Sequence, residues 1–500
     1  MATPIPVNRC QFSAGEIVRA TGAVFAGAHD ATLTGVSIDT RAIARGSLFV
    51  ALRGTGDGHE FLHQAAANGA GAALVERGRA DPALPCFEVE DTLTALGALA
   101  RFHLQRMRAR RPLPTIAIGG AAGKTTTKEL TAALARALFG EVLATPGNLN
   151  NLIGVPMTVF TLTEAHRAAV LECGTNQRGE IARLAQIVTP DVALVLNVDV
   201  EHTEGLGSLE GVADEEAELF KSARIAIVGT AESMLLARIP TSMRTIKFGA
   251  TADADVRADV QMTSRVVVSP GRQRIALALA RELTAEGVEA TLEANLGLLG
   301  AASAMNTAAA VAAVSAALAR PLGRNDLAAI ARALAAVEPV PGRLSTREVA
   351  GIAVIDDTYN ANPRSVRVAL EAARETADGL HARLIVALGD MLELGAMAAE
   401  MHIEAVRDLY RARPDAAVLV GPEMAAAVDA INSHSADCAD SHIAGSASDA
   451  PERPAALELA PDSSTAATVV RRLVRAGDVL LVKGSRGIVM ERIIDALAAG

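Results

Sequence analysis

Along most of the chain, short runs of apolar residues alternate with stretches whose apolar positions recur every three to four residues. That alternation is the pattern of buried strands separated by amphipathic helices. In the first part, SLFVAL at 47–52 predicts a buried strand, and HEFLHQAAANGA at 59–70 predicts a helix stopped by Gly71. A basic run at 106–111 followed by Pro112 and Pro114 reads as a linker. The second part opens with the strand TIAIGG at 115–120 and the helix KTTTKELTAALARALFG. Further buried strands are predicted at 168–172, 192–198 and 225–229, then a strand-rich stretch at 256–293 and an Ala-rich helix at 301–319. The third part places strands at 352–356, 383–390, 416–421 and 478–484, again alternating with helices. Its Ser/Asp/Ala-rich stretch 432–454 predicts a mobile surface loop. The fold class is therefore α/β with three domains. A small mixed α/β domain spans 1–111, a second domain with a mainly parallel sheet spans 112–337, and a Rossmann-like domain spans 338–500.

Composition narrows the function. The chain has 500 residues, too many for one core, and half are hydrophobic. Trp is absent and Tyr occurs twice, so Ala, Leu and Val must fill the cores. A net charge of −10 argues against nucleic acid as the main partner. Cys10, Cys86, Cys173 and Cys438 form no CxxC pair and read as reduced thiols of a cytoplasmic protein. No signal peptide is predicted at the start. Charges or glycines break the apolar stretches before they would span a bilayer.

The strongest chemical signal lies between the first strand and helix of the second domain. Gly119, Gly120, Ala121, Ala122, Gly123, Lys124, Thr125 and Thr126 form a strand–turn–helix segment suited to phosphate. Backbone N–H groups face the anion, Lys124 supplies charge, and the Thr125 hydroxyl suits magnesium. A general P-loop wants glycine at 118, where this chain has Ile118. Glu172, Asn197, Asp199 and His202 fall at or after strand ends, where open α/β sheets place their ligands, so Glu172 and His202 are candidate metal ligands. GNLNNLIGVP at 147–156 offers the amides of Asn148, Asn150 and Asn151 to a polar ligand. In the third domain, IDDTYNANPRS brings Asn360 and Asn362. VKGSRG brings Lys483, Ser485 and Arg486, two cations and a hydroxyl suited to a carboxylate.

In order, the loop, GNLNN, LECGTNQRGEI, NVDVEHTEGLGS, DDTYNANP, GDMLELG and KGSRG resemble the Mur ligase family, and the likeness spans nearly the whole chain. TYNANP with GDMLELG points to the branch that adds D-alanyl-D-alanine. The resemblance implies ATP and Mg2+, with UDP-N-acetylmuramoyl-tripeptide and D-alanyl-D-alanine as partners. It implies a monomeric cytoplasmic enzyme of peptidoglycan synthesis that works through an acyl phosphate. By the same resemblance, Asp39, Thr40 and Arg41 match the uridine-nucleotide motif, and Asn306, Arg343 and Asp357 match positions contacting ATP. Lys483, Ser485 and Arg486 match the motif near the incoming amine. Lys124, His202 and Glu216 would carry the chemistry.

The chain departs from the family's pattern at several points. Gly119-Gly120-Ala121 stands where the family has Thr-Gly-Ser, Gly300-Ala301-Ala302 lacks the family's His, and Glu216 stands at the carbamylated lysine. Glu216 would then supply a permanent carboxylate to magnesium. The plainer reading makes it part of a solvated acidic run with Asp214, Glu215 and Glu218. Two rival functions are a sister ligase adding the third amino acid and a non-catalytic nucleotide-sugar-binding homologue.

Overall fold

The computed structural model describes residues 3–26, 31–54, 56–199, 203–250, 258–439 and 453–499. Strands β1 (Gln11–Ser13) and β2 (Thr32–Thr34) pair antiparallel. Strands β3 (Val36–Ser37), β4 (Leu48–Val50), β5 (Ala72–Glu76) and β6 (Cys86–Val89) form a parallel sheet in that order. The predicted helix after His59 is shorter than its pattern suggests: a 3-10 turn at Gly58–Phe61 leads into Leu62–Ala67.

The basic run at 106–111 is not a linker. It closes the helix Thr92–Arg110, where cations favour the negative end of the helix dipole. Arg106 bonds Glu16 and lies 5.0 Å over the Phe12 ring, and Arg108 bonds Asp191. This helix belongs to one continuous apolar core shared by the first sheet and one face of the second.

The second sheet comprises β7 (Thr115–Gly119), β8 (Val142–Ala144), β9 (Ala168–Glu172), β10 (Val192–Val195), β11 (Ile225–Gly229), β12 (Arg244–Ala250), β13 (Val260–Ser269), β14 (Arg272–Leu279) and β15 (Ala290–Leu296). Their order is β15-β14-β13-β12-β11-β10-β7-β9-β8. The sheet is parallel except at the β13–β14 and β14–β15 pairs. Its other face is covered by the helices Lys124–Phe139 and Gly300–Ala317. The alanines of Gly300–Ala317 present little bulk, so the helix lies close to its neighbours and is largely buried. Among the described residues it is the one helix long and apolar enough to cross a membrane, and it packs inside this core.

The third sheet comprises β16 (Ser345–Val349), β17 (Ile352–Asp357), β18 (Leu384–Gly389), β19 (Ala416–Val420), β20 (Ala456–Ala460) and β21 (Val479–Lys483), in the order β16-β17-β21-β18-β19-β20. All its pairs are parallel except β16–β17. The predicted loop at 432–454 begins as helix, since Pro422–Ala439 continues through its first residues, while 440–452 lie outside the described residues. The helix Pro363–Leu380 docks the third sheet onto the second. There Arg265 and Glu375 form a two-pronged bond, at 2.8 and 2.5 Å.

Candidate active site

Parallel strand order decides where the polar strand ends meet. β7 lies between β10 and β9, with Gly119 opposite Val195 and Ile118 opposite Glu172. The carboxyl ends of three adjacent strands thus open on one crevice, beside the N-terminus of the helix Lys124–Phe139. The facing wall comes from the third sheet, and between them lies a cleft of about 800 Å³. Residues 121–126, Asn148, Asn150, Glu172, Asn306, Arg343, Asp357, Asn360, Asn362 and Lys483 line it. Most of the predicted set is therefore gathered in one place, though it comes from segments far apart in the chain.

The loop's backbone is partly committed. Gly120 N–H donates to Glu216 Oε2 at 2.7 Å, Ala121 N–H to the Asn197 carbonyl at 3.0 Å, and Ala122 N–H to Asn197 Oδ1 at 2.8 Å. The first intrahelical bond is Thr127 N–H to the Gly123 carbonyl, so the amides from Gly123 to Thr126 are the helix-end donors an anion would meet. Gly123 has φ +86°, and a Cβ there would lie 3.0 Å from the Asn306 amide. Only glycine lets the loop turn so close to the Ala-rich helix. Lys124 Nζ folds onto the Gly120 and Ala121 carbonyls at 2.5 and 3.0 Å. Gly119 and Gly120, expected to touch nucleotide, do not line the cleft.

Glu172 is 1 % exposed. Its Oε1 accepts from Thr125 Oγ1 at 3.2 Å and Asn150 Nδ2 at 2.9 Å. Its Oε2 is buried with no hydrogen-bond partner. A buried carboxylate with an orphaned oxygen beside a hydroxyl fits a divalent cation. Among the described residues no three His, Cys, Asp or Glu side chains converge as a metal cage, so water and phosphate oxygens would complete such a shell. His202, expected to be a metal ligand, lies outside the described residues.

Glu216 differs from the expectation. It is 3 % exposed, sits behind the loop rather than in the cleft, and is no part of a solvated run. Its neighbour Glu215 is also buried and accepts from Gly179 and Ile181 N–H, capping the helix Glu180–Val188. Burial first, then the Glu216 and Glu172 carboxylates, push the Cys173 thiol up, so both acids lie near it. Lys221 is exposed and paired with Glu218, away from the loop.

On the facing wall, β17 and β21 are paired so that Asp357 stands opposite Lys483. Lys483, 1 % exposed, donates to Asp357 Oδ2 at 2.5 Å and to the Asn360 carbonyl at 2.8 Å. Arg343 lies 4.1 Å over the Tyr359 ring. Ser485 is buried, donating to the Ala361 carbonyl and accepting from Leu392 N–H. Arg486 pairs with Glu491, and neither Ser485 nor Arg486 lines the cleft. Asn151 is exposed and outside the cleft lining, its Oδ1 accepting from Ile153 and Gly154 N–H at the start of the helix Gly154–Val159. Asp39 and Arg41 bond each other at 2.7 to 3.2 Å, and Thr40 bonds Gln64, outside this cleft.

Sequence reasoning missed Phe248, residues 229–232 and Tyr359 as lining. Phe248 and Gly229 lie near the ends of β12 and β11, residues 230–232 just beyond β11, and Tyr359 within the TYNANP motif. Glu232 there is raised above its ordinary value by burial, against the opposing pull of Arg364. Arg364 reaches across from the third domain to Asp199 at 3.5 Å.

Residues 118–314 match the Mur ligase middle domain, and residues 342–486 match the glutamate ligase domain of Mur ligases. This chain belongs to the Mur ligase family. Among its relatives, the Escherichia coli K12 protein named UDP-N-acetylmuramoyl-tripeptide--D-alanyl-D-alanine ligase is 35 % identical over 477 residues, covering 94 % of each chain. A crystal structure of MurF from Acinetobacter baumannii, another Mur ligase, superposes with a TM-score of 0.82 at 28 % identity, covering 99 % of this chain and 100 % of that one. MurF from Thermotoga maritima in complex with ADP gives 0.74 at 25 % identity, covering 93 % and 97 %.

Proposed function

We propose that this chain is an ATP-dependent ligase joining D-alanyl-D-alanine to UDP-N-acetylmuramoyl-tripeptide through an acyl phosphate, in peptidoglycan precursor synthesis. The observation that carries the reading is the cleft. It sets a phosphate-binding helix end against the wall of a separate α/β sheet, so two substrates can be held against each other in one place. The names of the relatives support the choice of substrates.

In this reading residues 1–111 hold the uridine nucleotide, with Asp39, Thr40 and Arg41 at the base. Residues 112–337 hold ATP, and 338–500 receive the dipeptide. A terminal carboxylate oxygen of the tripeptide attacks the γ-phosphorus and ADP leaves. The amine of D-alanyl-D-alanine then attacks the acyl carbon, phosphate departs, and the amine gives up a proton. The amides from Gly123 to Thr126 and the Lys124 ammonium bind the phosphates. Lys124 must leave the two loop carbonyls to do so, a short swing that puts its charge on the transferring group. Asn306 steadies the turn at Gly123, and Arg343 with Tyr359 offers a flat cationic face to the base. Thr125 and Glu172 would hold magnesium, with His202 as a third candidate. Such an ion would polarise the γ-phosphate and neutralise part of its charge. Asn150 keeps the Glu172 carboxylate oriented. The reading takes the chain as a monomer acting in the cytoplasm, where ATP and nucleotide-linked sugars are found.

The test is phosphate release from the full chain with each amino-acid or dipeptide acceptor, with the product mass measured. Turnover is expected only when ATP, UDP-N-acetylmuramoyl-tripeptide and D-alanyl-D-alanine are all present. Turnover with UDP-N-acetylmuramoyl-dipeptide and a single amino acid in place of the tripeptide and D-alanyl-D-alanine would assign the sister reaction instead.

A further inference from the structure

We propose that Glu216 is a positioning residue for the phosphate loop, acting as one unit with Gly119. The carboxylate fills the space a side chain at 119 would need, and it anchors the loop through Gly120 N–H. The inference rests on the reading of this loop as the phosphate-binding segment.

The geometry is specific. A Cβ at Gly119 would lie 2.6 Å from Glu216 Oε2, the same oxygen that accepts Gly120 N–H at 2.7 Å. Gly119 has an ordinary strand conformation as the last residue of β7, so no backbone strain demands glycine there. A side chain there would meet the carboxylate first and Leu219 Cδ2, at 3.3 Å, next, and could be admitted only by moving the carboxylate off the Gly120 N–H. The helix Leu209–Lys221 acts as a brace from below. Glu215 ties it to the helix Glu180–Val188, and the next residue, Glu216, ties it to the loop.

The effect on function follows from the loop's donors. Gly120, with φ +116°, starts the turn, and its Cβ position is 2.9 Å from Leu196 N. Three successive amides are anchored, by Glu216 and twice by Asn197. With those fixed, the amides from Gly123 onward are aimed before nucleotide arrives, so binding orders little more of the loop. Loss of one charge-assisted hydrogen bond at Gly120 frees the start of the turn and weakens that aim. Glu216 touches neither phosphate nor metal in this account.

The experiment measures affinity of the full chain for a non-hydrolysable ATP analogue with magnesium, by calorimetry, alongside KM for the dipeptide. Glu216→Ala is expected to weaken the analogue about tenfold, the scale of one hydrogen bond to a charged group. Glu216→Gln keeps an acceptor oxygen and should recover affinity to within about threefold of wild type, with an unchanged magnesium requirement. Gly119→Ala should cost about tenfold alone and about nothing on top of Glu216→Ala, a coupling that independent sites would not show. KM for the dipeptide should stay constant throughout. Normal affinity in Glu216→Ala, equal loss in the Gln and Ala variants, a raised magnesium requirement in Glu216→Gln, or full additivity would each overturn the proposal. Should Glu216→Ala fail to fold, Glu216→Gln and Gly119→Ala decide: the first must retain affinity and the second must lose it. Lys124→Ala separates the two levels. If it binds the analogue normally, the phosphate-loop reading fails. If it does not, while Glu216→Ala does, only the positioning role fails.

Discussion

Replacing Lys483 with Met should unfold the third domain at a lower temperature, because Lys483 is a structural counter-ion as well as a cleft residue. Its ammonium is 1 % exposed, and the Asp357 side chain beside it is 12 % exposed. Methionine removes the charge and leaves Asp357 with the Leu344 N–H at 3.0 Å as a remaining partner. Breaking a buried pair from one side costs about 3–5 kcal/mol, and the cleft's access to water favours the lower end, about 3 kcal/mol. For a domain of this size each kcal/mol lowers Tm by about 2–4 °C, so the expected fall is about 6–12 °C. Differential scanning calorimetry, or circular dichroism in a chain without Trp, would follow it. Adding Asp357→Asn removes the stranded charge and should restore more than half of the loss. If Lys483→Met melts like the wild type and only raises KM for the dipeptide, the lysine is a free substrate-binding cation and the pairing argument is wrong.

Lys124→Ala should leave Tm unchanged within a degree or two and lower kcat by at least about a hundredfold, roughly 3 kcal/mol of lost charge stabilisation, as steady-state phosphate release would report. Glu172→Gln should raise the magnesium concentration for half-maximal rate, because the buried oxygen that lacks a partner loses its charge; an unchanged magnesium titration would remove Glu172 from the metal site. Glu232 is raised from its ordinary 4.5 by burial. Between the unfolded and folded values the folded state holds the extra proton, so stability falls as pH rises past 4.5 and levels off above the folded value. Denaturant melts across that interval should show the step in wild type and its loss in Glu232→Gln.

The sequence by itself was enough for whatever is local. Strand, turn and helix follow one another between residues 115 and 139, so the phosphate loop could be read from apolar run, glycines and Lys124 alone. The alternation of strands and helices carried the three-part α/β plan, and ordered motifs carried the family. Local pattern misled where burial was at stake. Arg106 to Arg111 looked like a linker, and Glu216 like a carboxylate for magnesium or else part of a solvated acidic run with Glu215. Both segments lie on helices whose charged groups find partners far along the chain, and periodicity carries no record of a distant partner. The tertiary structure alone decided those partners. Gly120 and Glu216 are 96 residues apart, and Lys483 and Asp357 are 126 apart. Parallel strand order and register bring the second pair together, while packing of one helix beneath a strand end brings the first. Hydrogen bonds to the Ala361 carbonyl and from Leu392 N–H hold Ser485 outside the cleft lining, although KGSRG reads as a binding motif. Which polar residue faces the ligand and which holds the wall is set by neighbours in space, through the desolvation cost that every buried charge must offset with a partner.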